Sequence, residues 1–260
     1  MSHASVSTKP GPALRDAVPV PSCRSVAVWI PGAHVRIQPD LSNEQVRFEA
    51  TVPKANADTS RRVLASLGLS IERNDGVSIA PATPAARDSE AWRRLRAFRG
   101  TVQVDVFVPT DVALTLRASG GSVHCREFGG SVSLYCAGTT AHLESLRGTL
   151  DVRAYGGATT IERFTGRTVS VQAAAGALAL RRVEARTVEV RAASTPVTLD
   201  DVDGAVSLGG HGTVTTMASI RRALGASIHG GSLVLRASPD VRARLRSVGA
   251  TVETAEATTT

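Results

Sequence analysis

Apolar residues in the second half of the chain return on a fixed step. Leu116, Leu134, Val152, Val171, Val190 and Leu208 form one column. Cys125, Leu143, Ile161, Leu180, Leu199, Met217 and Leu235 form a second, and Phe128, Leu146, Phe164, Val183, Val202 and Ile220 a third. A turn column of Gly120, Gly138, Gly156, Gly212 and Gly230 is interrupted by Ala175 and Ser194. All four advance by 18, 18, 19, 19 and 18 residues as far as each runs. Independent columns that keep one step mark a stacked repeat.

One period shows what the unit is. In 132–149, Val132, Leu134 and Cys136 alternate with Ser133 and Tyr135, the two-residue period of a half-buried strand. Gly138 turns the chain, Ala141 and Leu143 resume the alternation, Leu146 adds an inward residue, and Gly148 turns again. A lone coil would leave its apolar side in water, so coils must stack, like residue on like, about 4.8 Å apart. Gly130, Gly148, Gly166 and Gly204 form a further turn column, with Ala185 and Arg222 as exceptions. The two 19-residue coils take their extra residue just beyond it, at Arg167–Thr168 and Arg186–Thr187. The prediction is an all-β protein, a single-stranded parallel β-solenoid of about seven coils over 113–252. Three hexapeptides also make 18 residues, but Thr140, Ala158 and Pro196 break the sixfold aliphatic pattern that a hexapeptide acyltransferase helix requires.

Ahead of the repeat the pattern is irregular. Residues 1–24 read as a disordered leader and 253–260 as a disordered tail. Between them, 25–112 reads as an N-terminal cap with strands at 26–30, 34–37, 46–52, 69–72, 77–80 and 102–108. Asp58 or Thr59 caps a helix over 60–67 that Gly68 ends, and a second helix is expected over 89–98. Such a cap closes the edge that the first coil would expose.

Composition narrows the picture. Aromatic residues are 3% of the chain, as suits a narrow interior, and the net charge is +7 with only Lys9 and Lys54 as lysines. That balance permits an acidic partner, whether nucleic acid, anionic lipid or an acidic protein. Cys23, Cys125 and Cys136 make no disulfide framework, and the latter two fall at inward positions. No stretch is long and apolar enough to span a membrane. The first 25 residues carry four prolines and no apolar h-region. The expected address is therefore intracellular, cytoplasmic or, in a eukaryote, mitochondrial.

The recurring unit, GGSVHC at 120–125, GGATTI at 156–161 and GGSLVL at 230–235, resembles the coils of the DUF4097 family of adhesin-like, head-GIN-like β-strand repeats. The lead-in VQVDVFVPTDVALTLRASGGSV at 102–123 is similar to that family's passage into its repeats. The resemblance covers roughly 25–252 and implies a β-solenoid in an adhesin-like role.

Candidate chemistry is sparse. His124 and His142 are one coil apart in one outward row, as are His211 and His229 in another. Two imidazoles about 5 Å apart suit a metal, but neither pair shows a third ligand in the sequence, so no metal site is assigned. Asp200, Asp201 and Asp203 cluster as in carbohydrate-cleaving β-helices, although aspartate is also an ordinary turn residue. No phosphate loop, nucleophile elbow or zinc spacing is present, and no cofactor is expected. The arginines stand out more. Arg93, Arg94, Arg96 and Arg99 flank the expected second helix, and Arg242, Arg244 and Arg246 alternate along the last strand. The sequence thus predicts a non-enzymatic structural or interaction module whose C-terminal coil meets a protein partner or another copy. Its alternatives are a carbohydrate-active or acyltransferase β-helix and an arginine-mediated binder of nucleic acid or another anionic surface.

Overall fold

Alternation decides each rung. In β8 (Ala113–Ser119), Leu114, Leu116 and Ala118 are buried while Ala113, Arg117 and Ser119 face solvent. Gly120, at φ 72°, turns the chain into β9 (Ser122–Arg126), where Val123 and Cys125 point inward. Phe128 then fills a short third side before the chain returns to β10 (Val132–Ala137). The computed structural model describes residues 13–19, 24–40, 42, 44–53, 55–73, 76–81, 102–236 and 242–254. These form 15 strands in one hydrogen-bonded sheet and one helix, a β-solenoid of about 8 turns.

The register is the one that the columns require. β10 lies parallel between β8 and β12 (Arg147–Ala193), pairing Leu134 with Leu116 and with Val152. β11 (Thr140–Glu144) is parallel to β9 and β12, pairing Leu143 with Cys125 and with Ile161. Further up, β13 (Val197–Ile220), β14 (Ala223–Arg236) and β15 (Arg242–Thr254) continue the stack. The ladder of β12 with β13 changes step between Glu184 and Thr187, at the extra residue that the sequence placed there. β15 is the C-terminal coil expected at the end of 113–252. Its Gly249, at φ 62°, follows Gly230 in the first turn column.

Two corners shape each coil. At the first, the chain of one coil presses on the next. A Cβ on Gly157 would lie 2.2 Å from the Thr139 carbonyl oxygen, so no side chain fits there. The second corner uses other residues. Glu127, Ser145, Arg163, Arg182, Asp201 and Ser219 all take φ between 53° and 56°, a column of left-handed residues that are not glycine. Each costs on the order of 1 kcal/mol of backbone strain. The offset comes from the neighbouring coil: the Glu127 and Ser145 N–H groups donate to the Glu144 and Glu162 carbonyls at 3.0 and 2.9 Å.

The N-terminal strands join the stack instead of merely plugging it. β2 (Ser25–Trp29) is parallel to β8, pairing Val26 with Leu114, and β3 (His34–Pro39) is parallel to β9, pairing Val35 with Val123. They make one more coil, with Gly32 at its turn at φ 73°. Beneath it β6 (Val77–Pro81) and β7 (Gln103–Val108) pair in parallel with β2 and β3. Antiparallel strands finish this end: β5 (Leu69–Arg73) on β6, and β4 (Gln45–Thr51) on β7. β1 (Leu14–Pro19) pairs with β4, so residues 14–19 of the expected disordered leader are an edge strand. The Arg15–Glu49 ion pair at 2.6 Å accompanies that pairing. Helix α1 (Ala57–Leu67) begins three residues earlier than expected because Asn56, not Asp58 or Thr59, caps it, accepting from the Thr59 N–H. The helix expected over 89–98 lies outside the described residues.

Buried side chains run as one cluster from Val26 to Leu235. Cys125 and Cys136 sit in it as small apolar groups, and burial pushes the Cys125 thiol up to about 12. Leu180→Ala is expected to cost about 2–5 kcal/mol in urea unfolding, because the rigid rungs cannot collapse on the void. Gly157→Ala is expected to cost more than about 1 kcal/mol by the same measurement, since it meets both the close carbonyl and the positive φ.

Candidate interaction surface

The last coil differs from those beneath it. Arg242, Arg244 and Arg246 are the ladder partners of Ala223, Gly225 and Ser227, outward positions on β14. Side chains two residues apart on a strand are separated by about 6.6 Å, so Arg244 and Arg246 form a positive strip. Arg244 and Arg246 are exposed. The inward partners are Ala243, Leu245, Ser247, Val252 and Thr254, stacked on Leu224, Ala226, Ile228, Leu233 and Leu235. Four of the five are smaller or more polar than the residue below, Leu245 on Ala226 being the exception, so the core tapers here. Val248, beside the turn, is 63% exposed. Among the described residues β15 pairs with β14 alone, which leaves its other edge open. Arg93, Arg94, Arg96 and Arg99 lie outside the described residues.

Along the second corner the charges pair from coil to coil. Glu144 pairs with Arg163, Glu162 with Arg182, Asp201 with Arg221, and Asp203 with Arg222. Each arginine stands one coil above its carboxylate, so the corner carries a ladder of alternating sign. This accounts for the acidic cluster seen in the sequence. Asp201 and Asp203 hold guanidinium groups, whereas glycoside cleavage needs two carboxylates free to face a sugar. The flanking groove of about 290 Å³ is lined by those same paired residues, including Arg163, Arg182, Asp201 and Asp203.

The two histidine pairs have different surroundings. His211 and His229 are ladder partners and, with Tyr155 and Arg191, border a shallow basin of about 480 Å³. Ala193 and Gly209 line it between them, and Tyr155 is 57% exposed. His124 and His142 are ladder partners on the other broad face, their rings edge to face with centroids 5.1 Å apart. Here a carboxylate joins them. Glu144 Oε2 lies 3.4 Å from His124 Nε2 and 3.6 Å from His142 Nε2. Burial lowers the His124 pKa first, helped by the charges of His142, Arg126 and Arg36. The sequence reading missed Glu144, although the signal was there: it follows His142 by two residues, on the same face of one strand.

No family model and no curated protein matches the chain. Solved structures do. A "putative adhesin" from Bacteroides fragilis NCTC 9343 superposes with a TM-score of 0.55 at 11% identity, covering 94% of this chain and 97% of that one. A "putative adhesin" from Parabacteroides merdae ATCC 43184 gives 0.57 at 9% identity, covering 95% and 97%. The likeness therefore spans the full fold, cap included. It also corrects the intracellular address expected above. That expectation rested on a missing apolar leader, a feature that the folded coils do not depend on, and both neighbours bear the name "putative adhesin".

If the corner ladder serves as surface charge matching, Asp201→Asn with Asp203→Asn is expected to lower stability by no more than about 1 kcal/mol per pair in urea unfolding. A larger loss would make the ladder a structural support.

Proposed function

We propose that the protein is a non-catalytic, adhesin-like interaction module of the DUF4097 type, and that its C-terminal coil is the docking end. The observation that carries this is the contrast between the two ends of one stack. At the N-terminal end, β6, β7, β5, β4 and β1 continue the ladders and finish on two short antiparallel edge strands, β1 and β5, of six and five residues. At the other, β15 offers an open strand edge with Arg242, Arg244 and Arg246 in a row beside it. An open edge is a template for another strand, and the charges select which strand comes. The occupant that fits is an acidic protein segment added edge to edge. Arginine rows repel one another, so they disfavour a second copy of the same coil. The adhesin names of the structural neighbours agree with a role in protein or surface contact.

The test compares wild-type protein with the R242E/R244E/R246E variant in recovery of a partner from the native source and in sedimentation velocity. Loss of a specific partner in the variant, with the wild type sedimenting as a monomer, is the expected result. Equal recovery by both proteins, or loss only when Arg93, Arg94, Arg96 and Arg99 are changed, would overturn the reading. So would concentration-dependent dimerisation through this edge.

A further inference from the structure

We propose that His124, His142 and Glu144 form a binding site for a divalent transition-metal ion of the zinc class. The site is separate from the C-terminal edge and does not rest on the docking role. Its three donor atoms all lie within 4.8 Å of one another. In a tetrahedral zinc site with bonds of about 2.0–2.1 Å, neighbouring donors stand about 3.3–3.4 Å apart. Glu144 Oε2 is 3.4 Å from one imidazole Nε2 and 3.6 Å from the other, close to that spacing before any ion is added.

The fold holds these groups where they are. His124 and His142 project from adjacent rungs in the paired stretch of β9 and β11, and Glu144 comes from the same strand as His142. Arg163, from the coil above, bonds the other carboxylate oxygen, Glu144 Oε1. That contact fixes the carboxylate and leaves Oε2 turned to the imidazoles, the kind of outer support that metal ligands use. Side-chain exposures of 37%, 39% and 26% leave the outward side open for water or a fourth ligand. Two imidazoles and one carboxylate suit zinc, nickel, copper or cobalt and do not suit calcium or magnesium, which prefer all-oxygen sets. Arg36 and Arg126, the ladder partners of His124 and Glu144, repel a cation, so affinity falls below that of closed structural sites. The other histidine pair serves as an internal control. Among the described residues, no third donor joins His211 and His229 in such a group.

The experiment uses untagged, chelator-treated full-length protein in equilibrium dialysis against zinc chloride, with magnesium chloride as the comparison ion. Cobalt(II) chloride added to the same protein reads the ligand field through its visible absorption. One equivalent of zinc is expected, with no competition from excess magnesium. His142→Gln and Glu144→Gln are each expected to weaken zinc binding at least tenfold and to abolish the cobalt spectrum. Arg163→Gln is expected to weaken it about tenfold without removing it. The H211Q/H229Q variant is expected to bind as the wild type does. All five substituted residues are at outward positions, and circular dichroism checks the fold of each variant. Absence of stoichiometric zinc in the wild type would overturn the site. So would binding that survives both His142→Gln and Glu144→Gln or that is lost in H211Q/H229Q.

Discussion

Each coil holds its shape through the backbone hydrogen bonds it makes with the coils on either side. The bonds within a single turn cannot do this, because the strands of one coil do not pair with each other in this parallel stack. Everything else follows from that ladder. It sets like residues over like, so the interior becomes columns of Leu, Val, Ile and Ala and not a mixed core. It brings backbone so close at Gly157 that a side chain there would meet the Thr139 carbonyl. It also supplies carbonyl partners that make a left-handed Glu127 or Ser145 affordable at the second.

The same ladder frees the outward face. Residues pointing into solvent are not constrained by the core, and stacking aligns them in rows, so any chemistry placed once is repeated or complemented one rung away. Three uses of this are visible. Opposite charges alternate along the second corner from Glu144 to Arg222. Imidazoles meet above a carboxylate at His124, His142 and Glu144. Like charges line the last strand at Arg242, Arg244 and Arg246. The first satisfies itself, with both partners supplied by the chain. The other two have capacity left over, which is why they carry the functional argument.

The periodic part of this structure was legible residue by residue. Column spacing located the inward residues, the first turn and the slipped step near Arg186–Thr187, because insertions confined to a turn leave the columns aligned. Other features carry no such signature. The second corner is built from Glu, Ser, Arg and Asp, so a search for glycine finds only Gly130, Gly148 and their like, a few residues on. The coil made by β2 and β3 stacks on residues 88 positions later, and no repeat step survives an insertion of that length. The last coil, β15, was legible from its alternating arginines even though Ser247 and Thr254 put polar residues at inward positions. Glu144 escaped because ligands were sought one coil apart, when the third lay two residues away on the same strand face.

One continuous ladder ends in short antiparallel strands, β1 and β5, on its N-terminal side and in the 13-residue edge of β15 on the other. Amide hydrogen exchange of the dilute monomer reads this directly, since protection reports the free energy of local opening. Slow exchange is expected through β2, β3 and β8 to β13, with protection falling through β14 to its lowest value in β15. Protection in β15 equal to that in β11, in a protein shown to be monomeric, would contradict it.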